Sequence, residues 1–131
     1  TCDWFGFNNI LLSKDCAEIY NPKVVRSTAG SLFNLNIYKD IDFRDFFPAA
    51  RLNNYKIFSA DMEGLNIYEV KDFAKSIIIF SNEANGPSKE ILKYADEKIT
   101  IPRFGKAESL NVSAAAGIIL SEIKRSQLFN R

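Results

Sequence analysis

The stretch KITIPRFGKAESLNVSAAAGIILSEIKRSQL, residues 98–128, carries the clearest structural signals of this 131-residue chain. Residues 98–101 predict a β-strand, and residues 102–110, which begin with proline, predict a loop. A long closing helix is predicted from Asn111 to about Leu128. Its apolar residues recur at the spacing that forms one helix face: Ala115, Ala116, Ile119, Leu120 and Ile123.

The same alternation of strand and helix repeats upstream. Strands are predicted at residues 9–12, 33–37, 55–60 and 76–80, and helices at residues 21–30, 42–54 and 87–94. The first of these helices has Asn21 as its cap and Pro22 at its first position, while Pro48 interrupts the second. This order predicts an α/β fold, with a mainly parallel sheet flanked by helices, in one domain over residues 1–131.

Composition narrows the functional classes. The chain is 47% apolar, and no apolar run approaches the roughly 20 residues of a membrane span, so no membrane partner is expected. A net charge of +1 is weak evidence against binding nucleic acid by bulk electrostatics. Because histidine is absent, a Ser-His-Asp or Cys-His hydrolase or a His-based zinc site cannot be assembled within this chain, and no metal site is predicted. Cys2 and Cys16 form no recognisable pair, which favours a reducing cytoplasm.

Three predicted loops follow three predicted strands, at residues 60–64, 81–86 and 102–110. Ligands of open parallel sheets bind at the carboxyl ends of the strands, so these loops are the first candidates for a site. Each loop contains a glycine, which permits close approach of the backbone. Neither GxGxxG nor GxxxxGK[ST] is present, so the sheet is expected to hold a nucleotide-like ligand mostly through backbone groups.

The polar residues of these loops have two interpretations when each is taken alone. Asn85 could cap the next helix, and Glu83 could be a solvated loop acid. Ser109 and Asn111 stand where the closing helix begins, so capping alone could explain them. Taken singly, these residues do not decide between structure and function.

Their combination resembles a known family. Residues 78–86, IIFSNEANG, resemble the second motif of the SpoU/TrmH RNA ribose 2′-O-methyltransferases, an apolar strand with a Glu-containing, Gly-ended loop. Residues 101–103, IPR, followed by residues 108–115, ESLNVSAA, resemble the third motif. Residues 3–7 and 25–33 look like the segments between motifs, so the resemblance covers nearly the whole chain.

The resemblance implies a fold, a cofactor and partners. The fold would carry a deep trefoil knot at its C-terminal end, threaded from Ile101 onward, as an exception to the rule that chains do not thread loops. The cofactor would be S-adenosylmethionine, the substrate ribosomal or transfer RNA, and the assembly a homodimer. The apolar face of the closing helix could serve that dimer or the core of the chain itself.

The resemblance also implies site residues. Six positions match the cofactor contacts of the family: Ala60, Ser81, Gly86, Ile101, Ser109 and Leu110. Three residues are predicted to support catalysis. Ser109 and Asn111 would order the pocket and a phosphate or carboxylate group, and Glu83 would orient the base or bind the cofactor.

The base itself is expected outside this chain. In the family it is usually assigned to an arginine of the first motif, which would lie upstream of Thr1, and Arg26 does not match that position. Residues 1–7 read like the end of a helix closed by glycine, so we expect that an N-terminal portion precedes them. Two further hypotheses remain, a non-catalytic knotted module for RNA binding or dimerisation, and a flavodoxin-like nucleotide binder.

Overall fold

The computed structural model describes residues 1–82 and 86–129 of the chain. Within these residues, five strands alternate with four α-helices. The elements in chain order are β1 (Asn9–Leu11), α1 (Pro22–Ser27), β2 (Asn36–Tyr38), α2 (Phe43–Leu52), β3 (Lys56–Asn66), β4 (Ser76–Ile79), α3 (Lys89–Leu92), β5 (Glu97–Thr100) and α4 (Val112–Phe129). Two short 3-10 helices lie at Ser31–Asn34 and Ile67–Glu69. The predicted α/β alternation is therefore confirmed.

The strands form two parallel sheets in the described part of the chain. One sheet has the order β4-β3-β5, and the other pairs β1 with β2. In the larger sheet, the central strand β3 aligns Phe58 with Ile78 of β4 and with Glu97 of β5. Because both neighbours run parallel to β3, the carboxyl ends of these strands meet at one edge of the sheet.

A bulge interrupts the pairing of β3 with β5. Ala60 and Leu65 both oppose Ile99, so residues 61–64 protrude from the ladder. The Thr100 hydroxyl donates a hydrogen bond to the Met62 carbonyl at 3.0 Å and ties the bulge to β5. The sequence predicted that the strand ends at residue 60 and a turn follows, which is wrong, because the chain returns to β5 after the bulge and β3 continues for six more residues.

Helix α4 packs on one face of the larger sheet. Ile119, Leu120 and Ile123 are at most 3% exposed and share a core with Phe58 of β3 and Ile99 of β5. The apolar face predicted for the closing helix is thereby used inside the chain. Burying an isoleucine or leucine side chain contributes roughly 1.5–3 kcal/mol, so this contact holds the C-terminal helix firmly against the strands.

Helix α2 buries Phe47, whose ring stacks on that of Phe43 with 5.0 Å between the ring centroids. Arg51 of α2 forms an ion pair with Asp96 at 2.8 Å, and the same carboxylate accepts a hydrogen bond from the Ile57 amide of β3 at 2.7 Å. The interruption predicted at Pro48 is wrong. The proline is exposed, so the carbonyl that loses its N–H partner remains open to water and the helix continues.

Three other boundaries differ from the sequence-based expectation. The strand predicted at residues 33–37 starts at Asn36, because Gly30, with φ of +90°, turns the chain into a 3-10 helix first. Helix α3 covers only Lys89–Leu92. The predicted Asn21 cap of α1 is confirmed by a hydrogen bond from the Lys23 amide, although α1 ends at Ser27. Among the described residues, no helix combines the length and apolar character needed to cross a membrane.

The bulge of β3 depends on Gly64, which leads to a stability prediction. Gly64 has φ of +150°, and a Cβ added there would lie 2.5 Å from the Lys98 carbonyl oxygen. We expect Gly64→Ala to lower the free energy of unfolding by about 2–4 kcal/mol, since backbone strain and overpacking each cost roughly 1–3 kcal/mol. Chemical denaturation measures the change.

Gly117→Ala in α4 is the matched control. Its added Cβ would meet only Thr1 Cγ2 at 3.9 Å, an ordinary contact, and alanine favours a helix. We expect this variant to be as stable as the parent chain or more stable. Equal stability of both variants would contradict the tight approach of Gly64 to β5.

Candidate functional site

Described residues from each of the three predicted loops line one cavity at the carboxyl edge of the larger sheet. Its volume is about 750 Å³, within the usual range of small-molecule sites. The walls come from the bulge of β3, the segments that follow β4 and β5, and the start of α4. The parallel pairing described above is the reason that segments so distant in sequence meet here.

All six residues predicted as cofactor contacts line this single cavity: Ala60, Ser81, Gly86, Ile101, Ser109 and Leu110. The structure thus brings together positions that span 51 residues of sequence, although their contact with a cofactor stays a prediction. Of the three predicted catalytic residues, Ser109 lies on the wall. Asn111 is adjacent to the lining residues but is not one of them. Glu83 lies outside the described residues.

Asn111 has a structural role that the capping interpretation anticipated. Its side-chain oxygen accepts a hydrogen bond from the Ser113 amide at 2.8 Å, and its carbonyl accepts one from the Ala115 amide at 2.9 Å. These are the bonds of an N-cap, which satisfy amides at the start of a helix. The cap fixes the direction in which the loop that follows β5 enters α4, and it therefore positions Ser109 and Leu110.

One residue of the cavity wall, Asp61, belongs to an ion pair. Asp61 and Lys98 form an ion pair at 2.8 Å. The hydrogen bond from Lys98 holds the pKa of Asp61 below its usual value, and the backbone amides of Glu63 and Met62 add to this effect. Asp61 is consequently negative at neutral pH, and Lys98 balances much of that charge. Glu63 is an exposed acid on the same bulge.

The rest of the wall is largely apolar. Phe80, Pro87 and Ile101 are half-buried, and the side chains of Met62 and Leu110 are 55% and 46% exposed. Such a wall suits a ligand with a flat apolar part and a polar or charged part. In the described ranges 1–82 and 86–129, no group of three or more His, Cys, Asp or Glu side chains is placed to hold a metal ion.

Sequence reasoning identified the three loops but missed most side chains within them. The lining residues that were not predicted as site residues include Asp61, Met62 and Phe104, and also Phe80, Arg103 and Val112, which lie within the motif stretches quoted above. Their spacing in the sequence is not periodic, because an irregular loop has no repeat that places side chains on one face, as a helix or strand does. The only usable signal was their proximity in sequence to matched motif positions.

A second, more open concavity of about 990 Å³ lies beside α4, away from the three loops. Its lining includes the exposed Trp4, together with Tyr68 and Ile118. Glu122 also lines it, but this carboxylate is engaged by two hydrogen bonds of 2.7 Å from Arg125. None of the predicted site residues is found here, so the smaller cavity is the candidate functional site.

Comparison with known proteins identifies relatives of the chain. The chain is 46% identical over 65 residues to the tRNA (guanosine(18)-2′-O)-methyltransferase of Aquifex aeolicus, which covers 50% of this chain and 31% of that protein. It is 29% identical over 137 residues to the 23S rRNA (uridine(2479)-2′-O)-methyltransferase of Streptomyces viridochromogenes, which covers 100% of this chain and 48% of that protein.

A solved structure gives the same result at the level of the fold. The SpoU methyltransferase AviRb from Streptomyces viridochromogenes, in complex with the cofactor AdoMet, superposes with a TM-score of 0.87 at 28% identity. The match covers 97% of this chain and 53% of that one. The chain thus spans about half the length of the proteins it matches. The SpoU rRNA Methylase family matches residues 1–121, and the chain belongs to that family.

Proposed function

We propose that residues 1–131 form one catalytic domain that transfers a methyl group from S-adenosylmethionine to a ribose 2′-hydroxyl of ribosomal or transfer RNA. The observation that carries the proposal is the convergence of Ala60, Ser81, Gly86, Ile101, Ser109 and Leu110 on one cavity. Family membership and the names of the two methyltransferase relatives support it further.

The cavity fits such a cofactor in size and chemistry. Its volume of about 750 Å³ is ample for a nucleoside with an amino-acid tail. The apolar side chains of Ile101 and Leu110 suit an adenine ring, and the Asp61 carboxylate suits a positive charge. When bound, the cofactor supplies a methyl group that is already activated by attachment to a positively charged sulfur.

The residues of this chain would bind and orient the reactants. Alignment of a nucleophile with its target is itself a large contribution to rate, and the Asn111 cap provides it by fixing the loop that carries Ser109. Removal of the ribose proton needs a group other than histidine, since the chain has none. We propose that Ser109, Asn111 and Glu83 orient the substrate and that base.

Three finer features belong to the same proposal. The chain from residue 101 onward would thread as a deep trefoil knot, which family membership supports. A crystal structure in which the path of the chain contains no knot would contradict this proposal.

The two free cysteines, Cys2 and Cys16, support a reducing cytoplasm as the place of action. The third feature is a homodimer.

The homodimer is supported by the concavity beside α4. Trp4 is 86% exposed there, next to Tyr68 and Ile118, and an exposed apolar patch often marks a protein interface. We expect Trp4→Ser to shift the full-length protein towards monomer in sedimentation equilibrium. Leu52→Ser is the matched control, because Leu52 is also 86% exposed but lies on α2, outside the concavity. A parent protein that sediments as a monomer would contradict the dimer.

The central test is binding followed by transfer. We expect the full-length protein to bind S-adenosylhomocysteine in a calorimetric titration and to transfer labelled methyl from S-adenosylmethionine to total RNA. The product should contain linkages that resist alkali, because a methylated 2′-oxygen cannot attack the adjacent phosphate. Binding without transfer would favour the non-catalytic module, and no binding would remove the cofactor assignment.

Asn111 separates structural from functional contributions. Asn111→Ala should lower stability by about 1 kcal/mol through loss of the cap, and should reduce methyl transfer by at least tenfold, about 1.4 kcal/mol of transition-state stabilisation. Asn21→Ala is the matched control, since Asn21 caps α1 in the same way, with a 2.9 Å bond from Lys23, and is not among the cavity-lining residues. It should lose similar stability and keep its activity.

Asn111→Ser distinguishes the cap from the amide group. Serine is an equally good cap, so this variant should retain its stability and lose only the part of methyl transfer that depends on the amide group. Steady-state kinetics and thermal unfolding of the three variants provide the measurements. Activity of Asn111→Ala equal to that of Asn21→Ala would exclude Asn111 from the site.

A further inference from the structure

Phe104 is exposed to an unusual degree for its position. The side chain is 97% exposed, more than any other large apolar side chain in the described residues, yet it lies at the mouth of the candidate cavity. Folding gains nothing from such a ring, because it is outside the core cluster. An aromatic ring held in water beside a binding site is instead free to contact whatever enters that site.

The loop around Phe104 presents the ring in a defined way. The Arg103 guanidinium donates a hydrogen bond to the Ala107 carbonyl at 3.2 Å, which closes the loop and places Phe104 and Lys106 at its tip. Arg103 and Lys106 are exposed cations that flank Phe104 in the sequence of this loop. The nearby acids are Glu108 in the same loop, Glu63 on the β3 bulge, and Asp61, which Lys98 neutralises.

We propose that Phe104 stacks on a base of the RNA substrate, next to the nucleotide whose ribose enters the cavity. Stacking on an aromatic side chain contributes about 1–3 kcal/mol per base and accepts any base, because every base has a flat π-face. Arg103 and Lys106 stand where the flanking phosphates would pass. This inference rests on the proposed function and names a residue that positions the RNA substrate for it.

The low net charge of the chain favours a short-range contact of this kind. A net charge of +1 provides little long-range attraction for a polyanion. The RNA affinity that residues 1–131 contribute would then come mainly from short-range contacts, and stacking on an aromatic side chain is a strong contact of this kind for single-stranded nucleic acid. The contribution of Phe104 should be nearly independent of salt, whereas that of Arg103 and Lys106 should weaken as salt increases.

The test compares three substitutions in the full-length protein: Phe104→Ala, Phe104→Leu and Phe104→Tyr. Binding of a fluorescent single-stranded oligoadenylate is measured by anisotropy at two salt concentrations. We expect Ala and Leu to weaken binding by about tenfold or more and Tyr to restore it, because only Tyr retains an aromatic face. Phe33, which is 75% exposed and lies far along the chain from this loop, gives the control, and its substitution by Ala or Leu should leave binding unchanged.

Other roles for the ring give other results. Rescue by Leu would indicate apolar packing and overturn the stacking proposal. A changed sedimentation profile for Phe104→Ala would show that a second copy of the chain covers the ring. Weaker binding of S-adenosylhomocysteine would show that the ring covers the cofactor instead. Each of these outcomes excludes the RNA contact as the reason for the exposure of Phe104.

A direct signal is also available because the chain has a single tryptophan. Combining Phe104→Trp with Trp4→Phe leaves one indole within residues 1–131, at position 104. The fluorescence that this indole adds, relative to Trp4→Phe alone, should be quenched by oligoadenylate and hardly affected by duplex RNA. If the parent protein methylates RNA but Phe104→Ala behaves like the parent, only this inference fails. If the parent neither binds nor methylates RNA, the proposed function fails with it.

Discussion

The parallel pairing of β3 with both β4 and β5 is the constraint on which the rest of the structure depends. It brings the ends of three strands to one edge, and the segments that follow them become the walls of one cavity. Helix α4 then closes the arrangement by burying Ile119 and Ile123 against β3 and β5. Without this alignment, residues 60, 81 and 109 would have no reason to meet.

Local sequence was sufficient for features that depend on near neighbours. Asn21 followed by proline predicted the start of α1, and the apolar spacing of α4 predicted its buried face. Features that depend on distant partners could not be predicted. The bulge at residues 61–64 forms where one residue of β5, Ile99, pairs with two residues of β3. Gly64 permits the close approach to β5, but the register itself depends on β5 and cannot be read from the bulge residues alone.

In the candidate site too, local sequence was sufficient for some features and three-dimensional contacts were needed for others. Its motif positions were found because they resemble a family pattern, and the cavity they line has the size and the apolar walls of a ligand site. Phe104 was missed because an exposed ring leaves no periodic trace in sequence; only the three-dimensional setting shows that it stands at the opening. Asn111 was open to two interpretations, and the helix cap is now established while a second role is compatible with it.

Lys98 links the geometry of the sheet to the electrostatics of the cavity. Its backbone carbonyl sets how closely Gly64 can approach, whereas its ammonium group offsets the charge of Asp61. The two tasks use different atoms, so a neutral side chain at this position would leave the strand ladder intact and add one unbalanced negative charge to the wall. The cavity wall would then distinguish more strongly between two ligands that differ by a single positive charge. The residue at position 98 can therefore tune how readily a cationic reactant is held and its neutral by-product is released, at little cost to the fold.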